Sequence, residues 1–188
     1  MTTLTFDPQR SKLTIETRAV GLLGKLAHDL SIVAKTITAT AELRAEGVDL
    51  ELGAPVADLS VDGVRKGGNV DRTVLSASDR ADIEKKIRTE VLATKVVTVK
   101  ASVPALPKKI GEEGTQSVDV DLDVVIGSGK QRVRARVDVA TSGSEVVASG
   151  RVDLDLHKLG IKPPKGPLGA FKVDAVVGVD LSLAFRLG

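Results

Sequence analysis

From Val118 to Val139 the sequence VDVDLDVVIGSGKQRVRARVDV alternates apolar and polar residues, which predicts a β-hairpin. With Ser128 and Gly129 as the turn, Val118 faces Val139, Val120 faces Val137, Leu122 faces Ala135 and Val124 faces Val133 on one side. On the other side Asp121 meets Arg136 and Asp123 meets Arg134, the oppositely charged cross-strand pairs expected of a solvated face. A second turn at Ser142 and Gly143 sets Val139 opposite Val146 and Val137 opposite Ala148, and the alternation runs on through Val152, Leu154 and Leu156. The pattern is a three-stranded meander with one dry face.

Elsewhere the same reading gives shorter elements. Leu4 to Phe6 is a short extended piece closed by Asp7 and Pro8, and Leu13, Ile15 and Thr17 alternate as a first strand. The stretch GLLGKLAH, residues 21–28, is apolar and bracketed by glycine, a turn of helix or a loop packed on a barrel mouth. From Leu30 to Leu43 the apolar parity changes after Ala34, predicting a bulge near Lys35 and Thr36. Ala57, Leu59 and Val61 mark the next strand. Ser78 to Leu92 is the one helix, capped by Ser78 or Asp79, with Ile83, Ile87 and Val91 as its packing stripe. Val97, Val99, Ala101 and Val103 resume a strand that Pro104 and Pro107 stop, and Lys108 to Gln116 is a polar connection. After the meander comes LHKLGIKPPKGPLGAFK, a Pro- and Gly-rich loop of functional character, before a last strand from Val173 to Phe185.

About eight strands and one helix, without strand–helix–strand alternation, predict an all-β antiparallel barrel with one flanking helix. Closure removes the exposed edges that strands of this length would otherwise carry. The chain of 188 residues is expected to form a single domain, 1–188. The inward residues are nearly all Val, Ala, Ile and Leu. Such short side chains leave void in a barrel of that size unless it flattens or holds something apolar.

Composition narrows the partners. A net charge of +2 from 27 basic and 25 acidic residues, interleaved in sequence, gives no global field for nucleic acid. Phe6, Phe171 and Phe185 are the only aromatic residues, too few to stack single-stranded bases. No cysteine is present, which excludes disulfides, thiol nucleophiles and cysteine zinc sites. No secretory signal pattern opens the sequence and no apolar run is long enough to span a bilayer, so cytoplasmic residence without stable membrane insertion is the expectation.

Candidate chemistry is sparse. His28 and His157, the only histidines, lack an acidic third ligand for a metal, and His28 with Asp29 is expected to orient a mouth loop through backbone hydrogen bonds. Asp119, Asp121 and Asp123 sit opposite arginines and read as a solvated face rather than a calcium ladder. Lys158, Lys162 and Lys165 read as a solvated loop, with attraction of an acidic head group at the mouth as the alternative. No set of residues has the mutual arrangement that catalysis needs, and the expectation is a protein without enzymatic activity.

The opening FDPQRSKLTIETRAVGLLGKLAHDLSI, the helix end IRTEVLATKVVTVKAS, the meander and the closing SGRVDLDLHKLGIKPPKGPLGAFKVDAVVGVDLSL resemble the YceI-like family of lipocalin-like, polyisoprenoid-binding proteins. The most specific pieces are His28, Asp29 and Leu30, and Leu159, Gly160 and Ile161. The resemblance implies an eight-stranded antiparallel barrel with a helical flap, holding an isoprenoid or fatty-acid-like lipid in its lumen, often as a homodimer. No other cofactor is expected. On this view Leu13, Ile15, Leu30, Ile32, Leu59 and Val97 line the lumen with Leu122, Val124, Val133 and Ala135 of the meander. Leu22, Leu23 and Leu26, with Leu168 and Phe171, form either a portal lid or an end plug. The expected function is binding, transport or sequestration of an amphiphilic lipid. The alternative is a structural or interaction protein whose barrel has collapsed on its own side chains.

Overall fold

The computed structural model describes residues 3–21, 27–104, 112–166 and 171–188. Strand β1 (Leu4–Glu16) is followed by a short β2 (Ala19–Val20), then β3 (Leu30–Ala34) and β4 (Thr38–Arg44). Strand β5 (Gly47–Pro55) leads through a 3-10 turn into β6 (Leu59–Lys66) and β7 (Asn69–Asp71). Helix α1 (Ala77–Lys86) continues as a π turn over Ile87–Val91. The long strands β8 (Val96–Pro104), β9 (Gly114–Ile126), β10 (Gly129–Ser142) and β11 (Glu145–Asp155) precede β12 (Lys172–Val173) and β13 (Val176–Leu187).

Strands β1, β13, β11, β10, β9, β8, β5 and β4 form a closed antiparallel ring, sealed where Leu4 of β1 meets Ala41 of β4. Strands β3, β6 and β7 extend this sheet beyond β1, so the chain is an all-β, lipocalin-like barrel with one helix. The bend that allows this lies at Lys35–Ile37, where the expected bulge is a full break in the strand. It lies beside the 3-10 turn Val56–Asp58, and the Lys35 N–H donates to the Asp58 carbonyl at 2.9 Å. Two neighbouring strands thus bend together, and the β3–β6 pair leaves the β4–β5 pair at one end of the barrel, called here the upper end.

Several sequence expectations change. The hairpin turn is Gly127–Ser128, so Val118 faces Val137, Val120 faces Ala135, Leu122 faces Val133 and Val124 faces Gln131. Asp121 accordingly faces Arg134 and Asp123 faces Arg132. The second turn shifts likewise to Gly143–Ser144, setting Val139 opposite Ala148. Gly127 and Gly143 have φ of +59° and +58°, and a two-residue hairpin favours glycine at its first central position. Because each slip is two residues, every side chain keeps its face.

The piece around Leu4 and the strand around Leu13 are one strand, with the register against β13 shifting between Asp7 and Lys12. Ala57 is exposed in the 3-10 turn rather than on a strand. Val173 belongs to β12, paired with β2, and not to the last strand. Strand β5, with Val48, Leu50, Leu52 and Ala54 inward, goes unpredicted because Gly53 and Pro55 mask it. The helix begins two residues early, capped by Ser76. The Ser76 hydroxyl accepts from the Asp79 N–H, and the Asp79 carboxylate accepts from the Ser76 N–H, a reciprocal box that Ser78, with Ala81 three residues on, could not make.

The interior divides into three apolar clusters. The lower end is filled by Leu13, Ile37, Leu52, Leu183 and Phe185. The upper end is split between a cluster under the turn that follows β11, with Ile126, Leu156, Leu159 and Ile161, and one under the helix, with Ile32, Val56, Leu59 and Val61. Ile15 of β1 and Val97 of β8 touch all three.

Candidate functional site: the barrel interior

The inner face of the ring is aliphatic because every long strand alternates, and apart from the buried Gln131 and Thr141 of β10 the polar residues point outward. At the two ends these inner residues are buried: Leu52 and Leu183 at 1% exposure below, Val124 and Leu159 at 2% above. At the waist burial is uneven: Val120 and Ala135, paired with each other, are 2% and 6% exposed, while their neighbours are more open. Val99, Leu122, Val137, Val179 and Leu181 stay partly exposed although strands pair on both sides of each, and Val133 is partly exposed where β10 pairs with β9 alone. Where both neighbouring strands are paired, solvent reaches an inner residue from inside the ring. The waist is therefore walled by partly exposed apolar residues between two packed ends, a surface that an apolar tail would cover.

The upper end is stoppered by the turn 156–160. Leu156, Leu159 and Ile161 drop into the cluster with Ile126, and the Ile161 N–H donates to the Leu156 carbonyl at 2.8 Å. The Leu159 carbonyl lies directly over Gly129, where a Cβ would collide with it. Gln131, on the inner face and 8% exposed, accepts from the Asp155 N–H at 3.1 Å and so holds the start of this turn. Its polar identity within an aliphatic parity is the available sequence signal.

Of the expected lining residues, Leu122 and Val133 face one another at the waist, with Ile15 and Val97 at the junction of the clusters. Leu13, Ile32, Leu59, Val124 and Ala135 are buried, and Leu30 packs beside Ile32. Leu22, Leu23, Leu26 and Leu168 lie outside the described residues. Phe171 packs over Gly166, whose N–H donates to the Phe171 carbonyl at 2.9 Å, so its ring braces the base of its own loop.

Asp29 links three described elements. Its carboxylate accepts from the Ala19 N–H at 2.8 Å and its carbonyl accepts from the Arg65 N–H at 2.7 Å, tying β2 and β6 to the start of β3. His28 and His157 are exposed. Among the described residues no group of three or more His, Asp or Glu side chains is placed to hold a metal ion.

The outer face is charged and internally paired. Asp123 accepts two hydrogen bonds from Arg132, at 2.9 and 2.7 Å, and is held below the usual carboxylate range chiefly by that contact. Asp119 pairs with Arg134 at 3.3 Å. The Asp123–Arg132 pair borders an outer groove of about 510 Å³ whose walls include Glu51 and Lys100, themselves paired at 3.1 Å. Lys158, Lys162 and Lys165 are exposed. No described helix is long and apolar enough to cross a membrane.

No protein-family model and no curated protein matches the sequence. Among solved structures, a polyisoprenoid-binding domain from Saccharophagus degradans, implicated in plant cell wall breakdown, is similar over 100% of both chains, with a TM-score of 0.67 and 12% identity. BcnA of Burkholderia cenocepacia is similar over 95% of this chain and 98% of its own, with a TM-score of 0.63 and 12% identity. At that identity the likeness concerns the path of the backbone: this chain has the fold of the Saccharophagus polyisoprenoid-binding domain, an antiparallel eight-stranded barrel flanked by a helix.

Proposed function

We propose that the protein binds an amphiphilic lipid, a polyisoprenoid or a fatty-acid-like molecule, with its apolar tail in the waist of the barrel. The observation that carries this reading is the partial exposure of inner-face aliphatic residues, Leu122 and Val133 foremost, between two packed ends. An alkyl or isoprenoid tail placed there would contribute about 0.8 kcal/mol per buried methylene without any directional polar contact. Selectivity then rests on tail length and shape, and the head group stays near the upper end. The fold likeness to a polyisoprenoid-binding domain supports the same ligand class.

The protein acts in this reading as a carrier or sequestering module, not as an enzyme. Native mass spectrometry of the purified protein, followed by organic extraction, tests it. A co-purifying lipid, or saturable uptake of an added isoprenoid alcohol, is the expected result. Absence of both would favour a collapsed barrel of structural or interaction role.

A further inference from the structure

The sheet around the upper barrel is interrupted between β10 and β11, beyond Val137 and Gly150, where Gln131 and the turn 156–160 fill the gap, and again between β6 and β8. Strand β5 pairs with β8 as far as Pro55 opposite Val96, and the Val56 N–H still reaches the Lys95 carbonyl at 2.9 Å. Beyond that point β6 follows β3 away from β8 and takes β7 as a second neighbour only from Val64 onward. Leu59 to Asp62 therefore present a strand edge with no strand beside it, which would leave backbone groups without partners.

Helix side chains supply those partners. Arg80, Glu84 and Arg88 recur every four residues and so share one side of α1 and its π turn. Arg80 donates to the Asp62 carbonyl at 3.0 Å and to the Val61 carbonyl at 3.4 Å. Glu84 accepts from the Val61 N–H and the Ser60 hydroxyl, both at 2.9 Å. Arg88 donates to the Leu59 carbonyl at 3.4 Å and to Glu84 at 3.0 Å, while its Nε is buried and unpaired among the described residues. Ile83 and Ile87 reach into the cluster of Ile32, Val56, Leu59 and Val61, beneath the open stretch. No α1 residue is fully buried.

We propose that α1 with its π turn is the lid through which an apolar tail reaches the lumen, latched to β6 by Glu84 flanked by Arg80 and Arg88. The proposal rests on the lipid-binding reading above. Lifting the helix breaks side-chain hydrogen bonds, several of them long, and uncovers Ile83 and Ile87, whereas parting two paired strands of the ring breaks a backbone ladder. Ala93, the only non-glycine residue with positive φ among those described, at 45°, lies two residues after the π turn and marks where the chain leaves the helix for β8.

The absence of cysteine makes the test direct, because Ser60→Cys with Glu84→Cys introduces the only thiols. The readout is the uptake rate of cis-parinaric acid, a fluorescent polyene fatty acid. The free-thiol variant, its latch removed, should take up probe faster than the unmodified protein. Bridging the thiols with a short bifunctional reagent should slow uptake by roughly tenfold or more, as expected when a lid gates access. Equal rates in all three forms would overturn the lid and leave the carrier reading standing. An unmodified protein that binds neither this probe nor an isoprenoid alcohol would overturn the carrier reading itself. Amide hydrogen exchange on the unmodified protein covers a variant that fails to fold: α1 should exchange while β9 and β10 stay protected, and exchange of α1 only together with those strands would overturn the lid.

Discussion

The guanidinium of Arg151 lies across Gly178 on the outer surface, where β11 pairs with β13. The absence of a side chain at 178 is what allows Arg151 to reach Glu16 of β1 at 2.8 Å while also pairing with Asp180. Arg65 of β6 holds the same Glu16 at 3.0 Å, so one carboxylate joins the barrel wall to the β3–β6–β7 extension. Gly178→Ala is expected to displace Arg151 and cost about 1 kcal/mol, the scale of a partly exposed ion-pair network. In an Arg151→Ala background the same change should be neutral or stabilising, since alanine suits a strand better than glycine. Urea unfolding of the four proteins measures both signs. An equal loss in both backgrounds would rule out this role for Gly178.

Two glycines of the hairpin separate close approach from backbone conformation. At Gly129 a Cβ meets the Leu159 carbonyl, which is backbone and part of the stopper. At Gly127 φ is +59° but no atom stands closer than 4.0 Å to the added carbon. Gly129→Ala should therefore be the more damaging, by about 2 to 4 kcal/mol, against about 1 kcal/mol for Gly127→Ala. Thermal unfolding ranks them, and the reverse order would show that the stopper yields readily.

Burial alone would push the Glu84 carboxyl up, but the Val61 N–H, the Ser60 hydroxyl and the Arg88 guanidinium outweigh it and hold the group below its ordinary value. A carboxyl lowered on folding stabilises the protein fully above the ordinary Glu range, and that stabilisation is lost as the pH falls through the lower folded value. The stability gap between the parent and Glu84→Gln should be widest near neutral pH and close in acid. Chemical denaturation across that range decides it, and a gap that widens toward low pH contradicts the lowered value.

Enlarging an inner residue has opposite consequences at the waist and at the packed end. Val133→Phe points into the partly open waist and should leave the melting temperature nearly unchanged while reducing binding of an isoprenoid alcohol sharply. Leu52→Phe enters a position 1% exposed and should cost about 1 to 3 kcal/mol by overpacking. If Val133→Phe destabilises as much as Leu52→Phe, the waist is as full as the ends and the binding proposal fails.

Alternation by itself determined which side of β8 to β11 and β13 is apolar, and hence that the sheet must close around those residues. The two-residue register slips in the meander changed partners without changing a face, because side chains on a strand repeat every two residues. The aliphatic character of the lumen, the scarcity of candidate chemistry and the approximate place of the helix were legible for the same reason: each depends on neighbours along the chain. Tertiary structure alone decided the rest. The stopper needs Gly129 beneath the carbonyl of Leu159, thirty positions away in sequence. Likewise Arg80, Glu84 and Arg88 read as the solvated side of a short helix until the β6 edge is placed beside them. Local propensity records the backbone conformation that a residue favours. It carries no record of which distant backbone group will be left without a hydrogen-bond partner, and the need to satisfy that group set the placement of the helix.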